Sequence, residues 1–254
     1  MCRKQMKEEA IFFLDENELY QGPEPYFYDE SKYEWARVLE NNWHIIRDEM
    51  ADFIAGRKEI VLSSPNPPYL SDPSAWKNIY FYNFMWQYHK NCRLYPKTFA
   101  LLKSIPDLTF AEFTVLEAHT QVLPHIGETN TTIRGHLGIS IPAPWPVMGI
   151  RVGTEERGWE EGKLTLFSDC HRHTVWNNSD ERRFVLVFDV VRPEFAGQKY
   201  WVSAQSLSAL TIKYADEKFG LFKRLPKPAV NLAHKGIACL WYLYLPLQRA
   251  LALP

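Results

Sequence analysis

Five of the chain's eight histidines, His119, His125, His136, His171 and His173, fall within 55 consecutive residues. Imidazoles gathered on short, strand-like segments are a means by which an all-β core holds a transition metal. Leu123-Pro124-His125-Ile126-Gly127-Glu128-Thr129-Asn130 is followed by Arg134 and His136, and His171-Arg172-His173-Thr174-Val175-Trp176 comes further on. Ten residues after His173, Arg183 opens the apolar run Phe184-Val185-Leu186-Val187-Phe188, from which a cation can reach the same cavity. A strand sends alternate side chains to opposite faces, so Arg134, His136 and Gly138 share one. Polar groups aimed into a β core need partners, and a metal plus a bound anion would supply them.

Two histidines and one carboxylate on one face of the metal are the usual ligands of non-haem iron oxygenases. The carboxylate normally stands two residues after the first histidine; here that position is Gly127. Taken alone, the glycine argues against a metal.

The elements that must position these residues are readable in outline. From Leu108 onward, β-branched and aromatic runs alternate with turn residues, giving candidate strands at Phe113–Ala118, Thr131–Ile141, Val147–Val152, Lys163–Phe167, Thr174–Trp176 and Arg183–Val191. Glu155 to Gly162 reads as a long turn. Short strands without intervening helices predict a mainly β core, a sandwich or jelly roll, rather than a parallel α/β sheet. Before it, Ser31-Lys32-Tyr33-Glu34 matches a capping box, and helical spacing of apolar residues runs from Trp35 through Gly56. Ser63 to Pro68 is a Pro-rich loop, Ile79–Tyr88 fits strand or helix, and Pro96-Lys97-Thr98 starts a short helix, Phe99 to Ile105. This divides the chain into a helical and mixed region (1–107) packing on the core, the β core itself (108–195), and a C-terminal extension (196–254).

The 254 residues carry 29 Lys and Arg against 30 Asp and Glu, which gives none of the basic excess that nucleic-acid binding needs. The four cysteines are far apart and form no C-x-x-C pair, and the first residues contain no apolar stretch of a signal peptide, so a reducing, cytoplasmic setting is expected. Ile237–Leu253 is strongly apolar but is interrupted by Pro246, Gln248 and Arg249. It is short of the ~20 residues of a spanning helix and reads as an element packed on the core or lying on a membrane surface.

At this point the residues resemble the aspartyl/asparaginyl β-hydroxylase family of 2-oxoglutarate-dependent dioxygenases. Pro124-His125 with Gly127, Thr129-Asn130, Arg134 and His136-Leu137-Gly138 are similar to one family block; Trp159 to Lys163 and His173 with Val175-Trp176 are similar to the next. Arg183, Asp189-Val190 and Pro193-Glu194 complete the resemblance, which covers about residues 75–195 and implies that the core at 108–195 is a double-stranded β-helix, a cupin-like jelly roll. In that family a glycine does stand where related enzymes have the carboxylate, so Gly127 becomes support.

The resemblance implies Fe(II) held by His125 and His173 with water completing the coordination, 2-oxoglutarate as cosubstrate, dioxygen as oxidant, and hydroxylation of an unactivated C–H bond. It implies that Arg183, with Thr114 beside it, grips the distal carboxylate of 2-oxoglutarate, that His136 holds the carboxylate next to the keto group, and that Arg134 binds an acidic substrate side chain. Asp169, four residues before His173, is our hypothesis for the group that orders the water, and we count it with the two histidines as catalytic. The better-studied peptide hydroxylases carry basic residues near positions 112 and 132, where this chain has Glu112 and Thr132.

The expected substrate is an Asp or Asn side chain in a peptide or amino acid, with a lipid acyl chain as the runner-up and a non-catalytic jelly-roll metal-binding protein as the alternative of a different class. Blander roles stand beside these. His119 and His171 read as surface or supporting groups, Arg183 has Asp180 or Glu181 as surface partners, Trp76 either lines the cleft or packs on the core, and Glu160-Glu161 decorate a solvated turn.

Overall fold

The computed structural model describes residues 9–15, 18–51, 55 and 76–251; the Pro-rich loop at Ser63–Pro68 and the helical positions Phe53, Ile54 and Gly56 lie outside them. Two strands, β1 (Trp76–Asn83) and β2 (Trp86–Gln87), precede eight more: β3 (Leu108–Leu116), β4 (Thr120–His125), β5 (Thr132–Ser140), β6 (Met148–Val152), β7 (Glu155–Arg157), β8 (Leu164–Phe167), β9 (His173–Asn177) and β10 (Arg183–Val191). These eight pair first with last: β3 with β10, β4 with β9, β5 with β8 and β6 with β7, all antiparallel. Nested pairing of this kind makes one long hairpin. Because β10 also pairs with β5, and β9 with β6, the hairpin coils into two sheets, β3-β10-β5-β8 and β4-β9-β6-β7, with β1 and β2 extending the first to six strands. That order is the jelly roll, the double-stranded β-helix expected from the sequence.

Alternation along the strands fixes what each face meets. On β10, Phe184, Leu186, Phe188 and Val190 turn outward into a core completed by Ala36, Leu39 and Ile46 of α1 (Glu34–Glu49), Cys92 of α2 (His89–Leu94) and Leu102 of α3 (Pro96–Lys103). The intervening Arg183 and Val187 face the interior between the sheets. Covered on both sides, β3 and β10 are buried at every position. A second core, with Phe27, Val122, Ile150, Phe167 and Val175, fills one end of the space between the sheets. The other end is left open.

Several local expectations change. The capping box is not made: the backbone N–H and hydroxyl of Ser31 both donate to Asp29 Oδ1 (3.1 and 2.6 Å) within a 3-10 turn, and α1 begins at Glu34 with no side-chain cap. The short helix starts at Pro96, because the first helical position needs no amide donor, and ends at Lys103. Glu155–Arg157, expected as turn, pairs with β6 as an edge strand. Trp76–Asn83 is strand, settled by pairing with β3.

The C-terminal extension is two packed helices, α4 (Lys199–Phe219) and α5 (Lys227–Leu251). Gly220, in the left-handed region at φ 59°, ends α4. Gln248 of α5 exchanges two hydrogen bonds with the backbone of Gln87 on β2 (3.2 and 2.9 Å), and Leu245 joins Phe84, Met85, Ala204 and Leu207 in a third apolar cluster. The apolar tail therefore packs through one face of α5. No described helix is long and apolar enough to cross a membrane.

Candidate active site

His125 and His173 meet because β4 carries one extra residue. Val122 lies opposite Val175 and His125 opposite His173, so three steps along β4 match two along β9. The extra residue is a β-bulge at Leu123-Pro124, where Pro124 has no amide hydrogen to give to a ladder. It reverses the alternation and brings His125 to the same side as Val122, Val175 and His173, all of which line the interior cavity. The imidazole centroids are 4.2 Å apart.

Both rings have a fixed tautomer. Nδ1 of His125 donates to the carbonyl of Leu123 (2.8 Å), and Nδ1 of His173 donates to that of His171 (2.9 Å), since a carbonyl can only accept. The lone pair of each ring is thereby placed on Nε2, the usual metal-binding arrangement. Burial also keeps both neutral: it lowers the pKa of His125 to about 4 and that of His173 well below the ordinary value, where the neighbouring His125 adds to the effect. Neutral imidazole is the form that binds a metal. Among the described residues no group of three or more His, Cys, Asp or Glu could hold a metal ion, so the two nitrogens have no third protein ligand.

Arg183 stands further in. It is buried, two of its guanidinium nitrogens (Nε and Nη1) have no hydrogen-bond partner among the described residues, and Nη2 lies 3.5 Å from Thr114 Oγ1. Its charge rests 4.7 Å above the Trp159 ring. The surface partners considered for it are engaged elsewhere or lie apart: Asp180 pairs with His119 at 2.9 Å. Burial without a carboxylate lowers its pKa to about 9, a measure of how poorly the cation is compensated. His136, packed between Trp159 (6.0 Å) and the edge-on Phe167 (4.9 Å), has a buried Nδ1 without a partner. Burial lowers its pKa well below normal, and the charges of Arg183 and Arg134 lower it further.

Arg134 is committed to the protein itself. Its Nε and Nη2 donate to the two carboxylate oxygens of Asp189, both at 2.7 Å, and Nη1 lies 3.1 Å from Asp169 Oδ2. Asp169 in turn leaves Oδ1 buried without a partner. Two carboxylates thus balance one guanidinium, and the face Arg134 shows the cavity is not a free cation.

The cavity has a volume of about 740 Å³. Beyond the polar cluster its lining is mixed: Phe84, Tyr88, Phe110, Leu207 and Leu210 of α4 and Trp241 of α5 give it apolar wall, while Asn78, Asn83, Glu128, Thr211, Lys213, Glu217 and Lys218 add polar and charged groups. Trp76 serves both of its expected roles, lining the cavity and packing against the second core. Lys213 of α4 pairs with Glu128 at 3.7 Å near the mouth.

A family model described as aspartyl/asparaginyl beta-hydroxylase matches residues 40–193. This chain belongs to that family. Among its relatives in the aspartyl/asparaginyl β-hydroxylase family, the ornithine lipid ester-linked acyl 2-hydroxylase of Rhizobium tropici is 31% identical over 172 residues, 66% of this chain and 61% of that protein. The human aspartyl/asparaginyl beta-hydroxylase is 32% identical over 171 residues, 65% of this chain and 22% of that protein. Human aspartate beta-hydroxylase domain-containing protein 2 is 28% identical over 203 residues, 76% of this chain and 53% of that protein. The chain thus spans less than two thirds of the length of each of these relatives.

The words shared with the aspartyl/asparaginyl β-hydroxylases divide by role. Thr129-Asn130 is structural: Asn130 takes the backbone N–H of Ile11 on Oδ1 (2.8 Å) and donates to Glu24, and Thr129 donates to the carbonyl of Ile11 (2.8 Å), which ties the N-terminal segment to the core. His119 is a surface group, and the buried His171 is held by the backbone of Glu24 at 2.8 Å and by the edges of Tyr20 and Tyr26. Glu112 was noticed in the sequence only as a departure from the family, yet it is a buried wall of the cavity. Asn78 and Tyr80 line it as well; the alternation from Trp76 would have revealed them had the segment been read as a strand. The wall supplied by α4 and α5 lies beyond the family match. No motif announces it.

Proposed function

We propose that this chain is an Fe(II)- and 2-oxoglutarate-dependent hydroxylase acting on an unactivated C–H bond of an acyl chain. The observation that carries the cosubstrate is Arg183, a buried guanidinium with two unpartnered nitrogens behind a pair of neutral, tautomer-fixed histidines. An isolated buried cation is costly, and a carboxylate matched to its fork would compensate it. The unpartnered Nδ1 of His136 offers a second point for an oxoacid, and the two Nε2 lone pairs fit a ferrous ion that keeps its other positions for cosubstrate, oxidant and water. When bound, the metal with 2-oxoglutarate and dioxygen supplies the oxidising chemistry, converting the oxoacid to succinate and carbon dioxide as oxygen is inserted into the C–H bond.

The protein's own part is to hold, orient and exclude. Thr114 and the Trp159 face fix the plane of Arg183. The hydrogen bonds to Leu123 and His171 fix both imidazoles. The apolar walls keep water from the reacting carbon.

The choice of substrate follows from Arg134. Because Asp169 and Asp189 neutralise it, Arg134 offers an acidic side chain no uncompensated cation. Aromatic and aliphatic residues such as Phe84, Phe110, Leu207, Leu210 and Trp241 line part of the cavity and suit a hydrocarbon chain, and the Rhizobium relative is named for an acyl 2-hydroxylase.

The test is succinate release by the purified protein with Fe(II) and 2-oxoglutarate, comparing acyl lipids with Asp- or Asn-containing peptides. Acyl-dependent turnover that is lost in His125→Ala and His173→Ala is the expected result. Peptide-dependent turnover would move the substrate to the acidic class. Metal binding without oxoacid consumption under any of these conditions would make the chain a non-catalytic metal-binding jelly roll.

A further inference from the structure

The last acidic residue of the chain is Glu217. The 37 residues after it include Lys218, Lys223, Arg224, Lys227, Lys235 and Arg249 and no Asp or Glu, a formal charge of +6. Removing those six from the 29 Lys and Arg leaves 23 against 30 acidic residues in the first 217, a formal charge of −7. A chain that is nearly neutral as a whole is therefore strongly divided.

The same segment carries the molecule's most exposed apolar ridge. On α5, Leu232, Leu240, Leu243, Leu247 and Leu251 are 54–73% exposed, and their spacing of eight, three, four and four residues places them on one face. The opposite face, with Ala238, Leu245 and Gln248, is the one that packs on the protein. Phe219, the last residue of α4, and Leu221, just after it, are 70% and 58% exposed. Exposed apolar side chains gathered in this way mark an interaction surface.

We infer that α5 and the turn before it dock on a bilayer containing anionic lipid. An amphipathic helix with a leucine face, basic flanks and no acidic residue lies in the membrane interface, its apolar face in the acyl region and its cations among anionic headgroups. A second copy of the chain fits less well, because pairing this surface with itself would set Lys223, Arg224 and Lys227 of the turn against the same cations. The surface adjoins the cavity: Tyr214 and Lys218 of α4 and Trp241 of α5 line it. Docking would bring the opening to the lipid phase. The inference rests on the surface alone and not on the acyl reading of the substrate.

Flotation of the full chain with phosphatidylcholine vesicles, with and without phosphatidylglycerol, tests it without any assay of activity. Binding to the anionic vesicles is expected, weakening with added salt. The triple variant Lys223→Gln/Arg224→Gln/Lys227→Gln should lose roughly a hundredfold in affinity, at about 1 kcal/mol for each basic residue near an anionic surface. Leu240→Ser/Leu243→Ser/Leu247→Ser should lose about tenfold or more, with circular dichroism and thermal melting checking that both variants remain folded. The inference is overturned by wild-type protein that stays with the unbound fraction, or by binding that ignores lipid charge and both variants. It is also overturned if sedimentation velocity finds a wild-type dimer that the leucine variant converts to monomer, which would make the ridge a self-interface.

Discussion

The carboxylate of Asp169 occupies the space that a side chain at Gly127 would need: a Cβ there would lie 2.1 Å from Asp169 Oδ2 and 2.5 Å from its Cγ. The backbone N–H of Gly127 also donates to the carbonyl of Asp169 (2.7 Å), so the two residues are held together by main chain as well as by shape. The carboxylate beside Gly127 comes from a different segment of the chain and is oriented by Arg134. Glycine at 127 is required by that approach.

Gly127→Ala should therefore destabilise the protein by about 1–3 kcal/mol, because the Asp169 side chain cannot retreat without leaving Arg134. In Asp169→Ala the obstacle is gone. Gly127→Ala on that background should be nearly neutral, giving a coupling of about 1 kcal/mol or more between the two sites. Urea unfolding of the four proteins measures it; additive effects would mean that the contact does not matter.

Arg134 balances two carboxylates that are themselves almost inaccessible, Asp169 at 3% and Asp189 at 1% side-chain exposure. Arg134→Met leaves both buried without a cation and should cost about 3–5 kcal/mol. Arg134→Lys keeps the charge but cannot satisfy Asp189 with a two-pronged bond while also reaching Asp169, so an intermediate loss is expected. A variant as stable as the wild type, measured by chemical denaturation, would show that the network contributes nothing to the fold.

Asp169 keeps one carboxylate oxygen, Oδ1, buried without a partner among the described residues. If it orders a water on the metal, Asp169→Ala should weaken Fe(II) binding by about 10–100-fold, the size expected for a partner outside the ligand set. Titration of the metal into both proteins, read by tryptophan fluorescence, checks this separately from turnover. Equal affinities would remove Asp169 from the metal site.

Much of this arrangement was legible in the sequence because strand alternation is simple: Arg134 and His136 do share a face, and Arg183 does turn inward from a strand whose alternate residues are Phe184, Leu186 and Phe188. The jelly roll followed from short strands at regular spacing. The strand that carries His125 was not legible, because Pro124 interrupts it and the bulge breaks the period of two that identifies strands. The capping box failed for a local reason: Asp29, two residues earlier, captures both donors of Ser31. Arg134 looked like a substrate cation, since nothing in the order of residues reveals that Asp169 and Asp189 converge on it. Long-range pairing is a property of the folded chain.

Arg183 makes an expectation of unusual sign. As a buried cation with two unpartnered nitrogens it burdens the ligand-free protein, so Arg183→Met, similar in length and apolar, should leave stability unchanged or raise it. If 2-oxoglutarate binds as proposed, it should raise the melting temperature of the wild type in the presence of a divalent metal but not that of Arg183→Met, because a ligand stabilises only the state that binds it. Differential scanning fluorimetry with and without the oxoacid reads both effects. A variant still stabilised by 2-oxoglutarate would place the cosubstrate elsewhere.

Glu112 offers a test that depends on pH. Burial raises its pKa to about 8, with Arg134 and a hydrogen bond from Tyr80 offsetting only part of the shift and Asp189 adding to it. Between its unfolded value of 4.5 and about 8 the folded protein thus holds a proton that the unfolded chain has released. Stability must fall as pH rises through that window, by up to about 1.4 kcal/mol per unit, and the contribution becomes constant above it. Glu112→Gln imitates the protonated carboxyl and removes the dependence. The variant should match the wild type near pH 5 and exceed it increasingly up to pH 8 in urea unfolding. A difference that does not change with pH would mean that Glu112 is ionised throughout. A protonated Glu112 gives the cavity a neutral wall there, which supports the proposal of a substrate brought in by its hydrocarbon rather than by its charge.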